Sequence, residues 1–200
     1  SSFALPLCGL ALVASLTASE TRAAEATPHL ELQPHDRIAL VGNGLAERMR
    51  LYGNFEALLH TRFPEHELVV RNFGWPADEV GNQQRPNDYT AIDNPLTVFA
   101  PNVLLCFYGY NESFAGPEGL PKFKEDLAAY VNKTREQFTK DGEVPRIVLV
   151  SPIAYEATGN PHMPDGKKEN ENLKLYTEAM KEFARTEGMP FVDLFSKTPQ

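Results

Sequence analysis

Apolar positions along the chain alternate between two patterns. Short, nearly continuous apolar runs rich in β-branched residues predict strands, and apolar residues spaced three or four apart predict helices. The predicted strands cover residues 37–41, 67–72, 103–108, 146–152 and 191–194. Because parallel neighbours need crossover connections, five strands alternating with helices predict an α/β fold. We expect a three-layer sandwich, with a sheet of about five parallel strands and helices on both faces.

Three segments carry the helical spacing. The first follows strand one, and Pro64 ends it. The second covers about 120–140 and the third about 170–187, closed by Gly188. In the first, the apolar positions are Leu45, Met49, Tyr52, Phe55, Leu59 and Phe63. Residues 77–101 are rich in turn formers, and we expect loops there around one short helix.

The amino end has the pattern of a secretory signal peptide. An apolar run over 3–16 is too short to span a bilayer, and Ala24-Glu25-Ala26 follows it as a cleavage site. We expect 1–26 to be a leader that lacks its start, and 27–200 to form one domain. The protein is then exported, to the periplasm or the extracellular space. A buried amino-terminal helix is the alternative.

Charge and residue types exclude several classes of function. The chain carries a formal net charge of −8, which repels phosphate backbones and anionic lipids, so we expect no nucleic-acid partner and no membrane partner after leader removal. The histidines lack metal-ligand spacing, and we predict no metal and no cofactor. Cys106 lies within an apolar strand, which favours a buried hydrophobe over a nucleophile.

Small and amide residues follow several of the predicted strands. They are Gly42-Asn43-Gly44, Asn72-Phe73-Gly74, Gly109-Tyr110-Asn111 and Ser151. Because the carboxyl ends of parallel strands share one edge of the sheet, we expect these turns to converge there. A dinucleotide site is disfavoured, since Glu47 occupies the third glycine position and strand two ends in Asn72.

These turns resemble the sequence blocks of the SGNH (GDSL-like) hydrolases over residues 36–195. Gly42-Asn43-Gly44-Leu45 stands where that superfamily has Gly-Asp-Ser-Leu, and Gly109-Tyr110-Asn111-Glu112 matches its third block. The resemblance implies a flavodoxin-like fold. It also implies an oxyanion hole formed by Gly74 and Asn111, with Gly44 at the nucleophile position and offering only its backbone N–H. Asn43, Gly109 and Glu112 are then ligand-binding candidates.

The chain is particularly similar to modules of large exported planctomycete-type proteins, some of them fused to c-type cytochrome domains. This similarity makes other domains of a longer polypeptide candidate partners.

Two departures from the superfamily pattern concern the reacting groups. Gly44 cannot attack a carbonyl, because it has no side chain. Asp193-Leu194-Phe195-Ser196 has Ser where the superfamily's Asp-x-x-His block has its base, so we expect that block beyond a truncated carboxyl end. Ser113 and Ser151 are weak alternative nucleophiles, and His162 is a weak alternative base.

Two functions remain from the sequence. The first is an ester hydrolase of the esterase or carbohydrate deacetylase class, acting on a small-molecule or carbohydrate ester. The second is a non-catalytic module with the same fold that binds a ligand or docks to other domains. The absence of a nucleophilic side chain at Gly44 favours the second function, whereas the resemblance favours the first.

Overall fold

The sheet contains five parallel strands in the order β2-β1-β3-β4-β5, which confirms the predicted α/β fold. This computed structural model describes residues 28–83 and 94–199, so the predicted leader lies outside the described residues. The strands are β1 (Arg37–Gly42), β2 (Val69–Asn72), β3 (Val103–Phe107), β4 (Arg146–Val150) and β5 (Phe191–Val192).

Helices cover both faces of the sheet. They are α1 (Gly44–Met49), α2 (Asn54–Arg62), α3 (Pro95–Phe99), α4 (Gly116–Phe138) and α5 (Lys167–Thr186). The long helices α4 and α5 bury Leu127 and Met180 against one face, together with Cys106 of β3. On the other face, Ala46 of α1 packs with Leu40 of β1. None of the helices in the described ranges is long and apolar enough to cross a membrane.

The predicted helix after β1 is two helices in the structure. Gly53 adopts a left-handed conformation with φ of +61°, which interrupts the helical path between α1 and α2. Tyr52, one of the apolar positions of the predicted helix, lies in this break and is 74% exposed. The apolar spacing was correct for the other positions, which are partly buried and pack against the core: Leu45, Met49, Phe55, Leu59 and Phe63.

The long helices also differ from their predicted bounds. α4 begins at Gly116 rather than near 120, because Pro117 is favourable in a first helical turn, where its missing N–H has no intrahelical acceptor. α5 begins at Lys167, three residues before its predicted start.

The strand registers bring three strand ends to one edge of the sheet. Leu40 of β1 is paired with Asn72, the last residue of β2, and Gly42 is paired with Phe107, the last residue of β3. The chain segments after these three strands therefore leave the sheet side by side. At the opposite edge, the buried Asp36 carboxylate binds Arg146 and accepts from the Asn102 amide, which fixes the starts of β1, β3 and β4.

Candidate functional site

The turn after β1 is built on a close approach between two strands. Gly42 has φ of +114°, and a Cβ there would lie 2.1 Å from the Phe107 carbonyl oxygen, so no other residue fits. The next N–H, of Asn43, donates to that same oxygen at 3.0 Å. The Asn43 side chain accepts from the Leu45 N–H at 3.1 Å and is 4% exposed. Asn43, predicted to bind a ligand, thus uses its side-chain oxygen to cap α1.

Gly44 opens α1 with empty space in front of it. A Cβ built there would meet no atom within 4 Å, and its φ lies outside the left-handed region. Packing therefore does not require glycine at this position, which the sequence resemblance predicts to be the nucleophile position. As the first residue of the helix, Gly44 has a backbone N–H without an intrahelical acceptor.

The turn after β2 packs directly on this first turn. A Cβ on Gly74 would lie 2.5 Å from the backbone nitrogen of Glu47, and the Asn72 amide donates to the Ala46 carbonyl at 2.6 Å. The Trp75 N–H donates to the Gly42 carbonyl at 2.8 Å. The first two predicted turns are thus in contact.

Gly74, predicted to be an oxyanion-hole donor, already has an acceptor. Its N–H donates to the side-chain oxygen of Asn72 at 2.9 Å. A ligand oxygen can take this N–H only if the Asn72 side chain rotates away.

The turn after β3 joins the same group of loops. The Asn111 side-chain amide donates to the Asp78 carbonyl at 3.1 Å, four residues beyond Gly74. An amide NH₂ group has two N–H donors, and this bond occupies one of them. The second remains the donor that Asn111 can offer to a ligand.

Glu112 and Gly109, the other predicted ligand-binding residues of this turn, hold its shape. One Glu112 carboxylate oxygen accepts from the Val80 N–H and the other from the Gly109 N–H, each at 2.9 Å. Gly109 takes a φ of +93°. The carboxylate thus clamps the β3 turn to the loop around residue 80.

Burial raises the pKa of Glu112 from 4.5 to about 7. The hydrogen bonds from the Val80 and Gly109 N–H groups lower this pKa, and the negative charge of Glu79 raises it further. This carboxyl therefore changes its protonation state near neutral pH, within the turn that carries Asn111.

The other candidate reacting groups have structural roles. The buried Ser151 hydroxyl donates to the Pro152 carbonyl and accepts from the Leu194 and Phe195 N–H groups, which leaves it no role as a nucleophile. Ser113 is buried, and its hydroxyl donates to the Tyr110 carbonyl at 2.6 Å.

Cys106 is buried, and burial raises its pKa to about 12, so it stays a neutral thiol. His162 is exposed on the loop after β4, where its backbone N–H donates to the Asn160 side-chain oxygen. Across residues 28–83 and 94–199, no group of three or more His, Cys, Asp or Glu side chains could hold a metal ion.

Two exposed aromatic side chains near these turns did not enter the sequence prediction. Trp75 follows Gly74 directly and is 52% exposed, and Phe114 follows Asn111 by three residues and is 67% exposed. The signal available in the sequence was their position within or beside the predicted blocks.

Comparison with known proteins identifies a family and a set of structural neighbours. Residues 39–200 match the sequence model of the GDSL-like Lipase/Acylhydrolase family. No curated protein matches the chain significantly. Among solved structures, an aryl esterase from M. smegmatis superposes with a TM-score of 0.56 at 14% identity, covering 79% of this chain and 83% of that one.

Two further solved structures share the fold. An acetyl xylan esterase gives a TM-score of 0.53 at 14% identity, covering 80% of this chain and 78% of that one. A gut microbial diltiazem-metabolizing enzyme gives 0.63 at 22% identity, covering 86% of this chain but 39% of that one. The chain thus spans about two fifths of that enzyme's length. At these identities the likeness shows the fold alone, and it confirms the predicted SGNH hydrolase fold.

Proposed function

The chain belongs to the GDSL-like lipase/acylhydrolase family, and from that premise we propose that it binds the carbonyl group of an ester without attacking it through a serine. The observation that carries the proposal is Gly44, which has no side chain and has open space where a Cβ would lie, together with an Asn111 amide that has one N–H left to donate. In this proposal the turns after β1, β2 and β3 form the binding site, and the absence of a side chain at Gly44 removes the nucleophile.

The proposed donors come from three turns. In the proposed complex the ester carbonyl oxygen accepts from the Gly44 N–H and from the second N–H of the Asn111 amide. The Gly74 N–H adds a third donor after the Asn72 side chain has rotated away. Donors preset in this way are used by hydrolases to hold an oxyanion, and they also bind a neutral carbonyl, with less energy.

The ligand class follows from the family and from charge. The neighbours named an aryl esterase and an acetyl xylan esterase are ester-directed by name, which supports an ester ligand here. A net charge of −8 favours a neutral ester over an anionic one. We also propose that the protein works outside the cytoplasm, on the pattern of residues 1–26.

A titration with triacetin, a neutral ester transparent in the near ultraviolet, tests this proposal. Trp75 is the single tryptophan and directly follows Gly74, so its fluorescence should change saturably as the ester binds. Asn111→Ala should weaken binding about two- to tenfold, the equivalent of one neutral hydrogen bond. Asn132→Ala, an exposed amide on α4, is the matched control and should change nothing.

Acetate release, followed by NMR in the same samples, separates binding from hydrolysis. We expect no release above the uncatalysed rate. A wild-type chain that shows no saturable signal, or whose affinity survives Asn111→Ala unchanged, contradicts the binding proposal.

Hydrolysis is the second candidate, favoured by the family match and by the room at Gly44. Acetate release by the wild-type chain that Asn111→Ala abolishes would establish it. In a polypeptide that also carries the family's Asp-x-x-His pair, Gly44→Ser should create release, because the new side chain meets no atom within 4 Å. Gly44→Ala should not.

A further inference from the structure

A hollow of about 170 Å³ lies between the Asn111 turn and the start of α5. The turn that carries the Asn111 amide also forms one wall of this hollow, which links it to the proposed carbonyl site. Its lining residues include Tyr110, Ser113, Phe114, Lys168, Glu169 and Asn172.

Two aromatic rings form one wall. Tyr110 and Phe114 pack edge to face, with ring centroids 5.5 Å apart and planes at 88°. Phe114 lines the hollow and is 67% exposed. Its exposed ring therefore provides a flat apolar platform at the rim.

A third aromatic residue shares the packing of this wall. Tyr155 and Tyr110 both pack against a small apolar cluster that includes Leu173. The Asn170 side chain accepts from the Tyr155 N–H at 2.8 Å and donates to the Tyr155 carbonyl at 3.0 Å. The wall and α5 are thereby held in fixed positions.

The opposite wall is polar. Lys168, Glu169 and Asn172 lie in the first two turns of α5 and offer an ammonium donor, a carboxylate acceptor and an amide that is both. Burial and the nearby Tyr155 and Glu169 raise the pKa of Tyr110, so its phenol stays a hydrogen-bond donor at neutral pH.

We propose that this hollow binds one neutral sugar ring of a carbohydrate whose ester group occupies the carbonyl site. A pyranose has an apolar face that stacks on an aromatic ring and a rim of hydroxyls that both donate and accept. A purely apolar aryl group would form no hydrogen bonds with the α5 side chains, whereas sugar hydroxyls would. The charges of Lys168 and Glu169 offset each other on this wall, and the net charge of −8 disfavours an anionic sugar. The inference rests on the proposed function, since it specifies the ligand of the same site.

Calorimetric titration of the chain with three ligands tests the inference. They are an acetylated xylo-oligosaccharide, the same oligosaccharide after deacetylation, and triacetin. Phe114→Ala should weaken both oligosaccharides about two- to tenfold and leave triacetin unchanged, as expected for one lost ring contact. Val98→Ala on α3 is the control, equally exposed at the opposite edge of the sheet.

The pattern of results separates the two proposals. Triacetin binding that depends on Asn111, with oligosaccharide affinities unchanged by Phe114→Ala, overturns the sugar subsite and keeps the carbonyl site. Oligosaccharide binding that depends on Phe114, with no gain from acetylation and no triacetin binding, overturns the carbonyl site and keeps the subsite. Absence of binding by all three ligands overturns both.

Discussion

Gly74 and Gly44 lack a side chain for different physical reasons. At Gly74 the adjacent backbone of α1 fills the space that a Cβ would need, with the Glu47 nitrogen at 2.5 Å. At Gly44 nothing lies within 4 Å. Gly74 is therefore required by the packing of the β2 turn on α1, whereas packing allows other residues at Gly44.

Exchange of each glycine for alanine should show this difference. Gly74→Ala forces backbone apart and should lower the free energy of unfolding by about 1–3 kcal/mol. Gly44→Ala should leave it unchanged or raise it by about 0.5–1 kcal/mol, because alanine restricts the unfolded chain and favours the helix. Urea unfolding of both variants measures the effect. Equal losses in the two variants would show that the second turn does not pack as described.

At the scale of elements, the Glu112 clamp joins the β3 turn to the loop around residue 80. The pKa of Glu112 is raised in the folded protein, so the folded state holds its proton more tightly than the unfolded state does. The resulting stabilisation is complete below pH 4.5 and is lost as the pH rises through about 7.

The pH dependence of stability tests this linkage. The wild-type chain should lose about 2–3 kcal/mol more of its free energy of unfolding between about pH 5 and pH 8 than Glu112→Gln does. The glutamine variant cannot ionise at position 112 but keeps every other titratable group. The difference between the two pH profiles therefore reports on Glu112 alone. Parallel pH profiles for the two proteins would refute the shift.

The sequence predicted the strands and their turns better than it predicted the side-chain contacts. Apolar runs identified all five strands. The central strands β1, β3 and β4 are buried on both faces of the sheet, as expected for parallel strands, whereas the edge strands β2 and β5 are partly exposed. The break at Gly53 was missed, since the apolar spacing continues across it. The bond from the Val80 N–H to Glu112 crosses 32 positions, and no local pattern indicates it. No local pattern indicates that the Asn72 side chain accepts from the Gly74 N–H either.

For the whole molecule, β3 is the central strand of the sheet, and Cys106 lies at its interior. β3 is paired with β1 on one side and β4 on the other, and its Cys106 thiol is buried under α4 near the Tyr130 hydroxyl. A reagent can reach this sulfur only when the sheet or its helical cover opens.

Thiol alkylation should therefore report global opening. In a Cys8→Ser variant, where Cys106 is the only remaining thiol, iodoacetamide should react about 10³-fold or more slowly in native buffer than in urea. The rate should rise with urea as steeply as global unfolding does. A native rate within about tenfold of the unfolded rate would mean that the centre of the sheet opens locally.

The burial of Ser113 and Ser151 has a consequence for activity-based screens that search a proteome for hydrolases. Fluorophosphonate reagents find hydrolases by capturing an activated hydroxyl. In the proposed function Gly44 takes the place of the family's serine, and these two hydroxyls are buried and hydrogen-bonded. On that proposal the chain would give no signal in such a screen, whereas immobilised ester ligands would retain it, because binding needs no reactive hydroxyl.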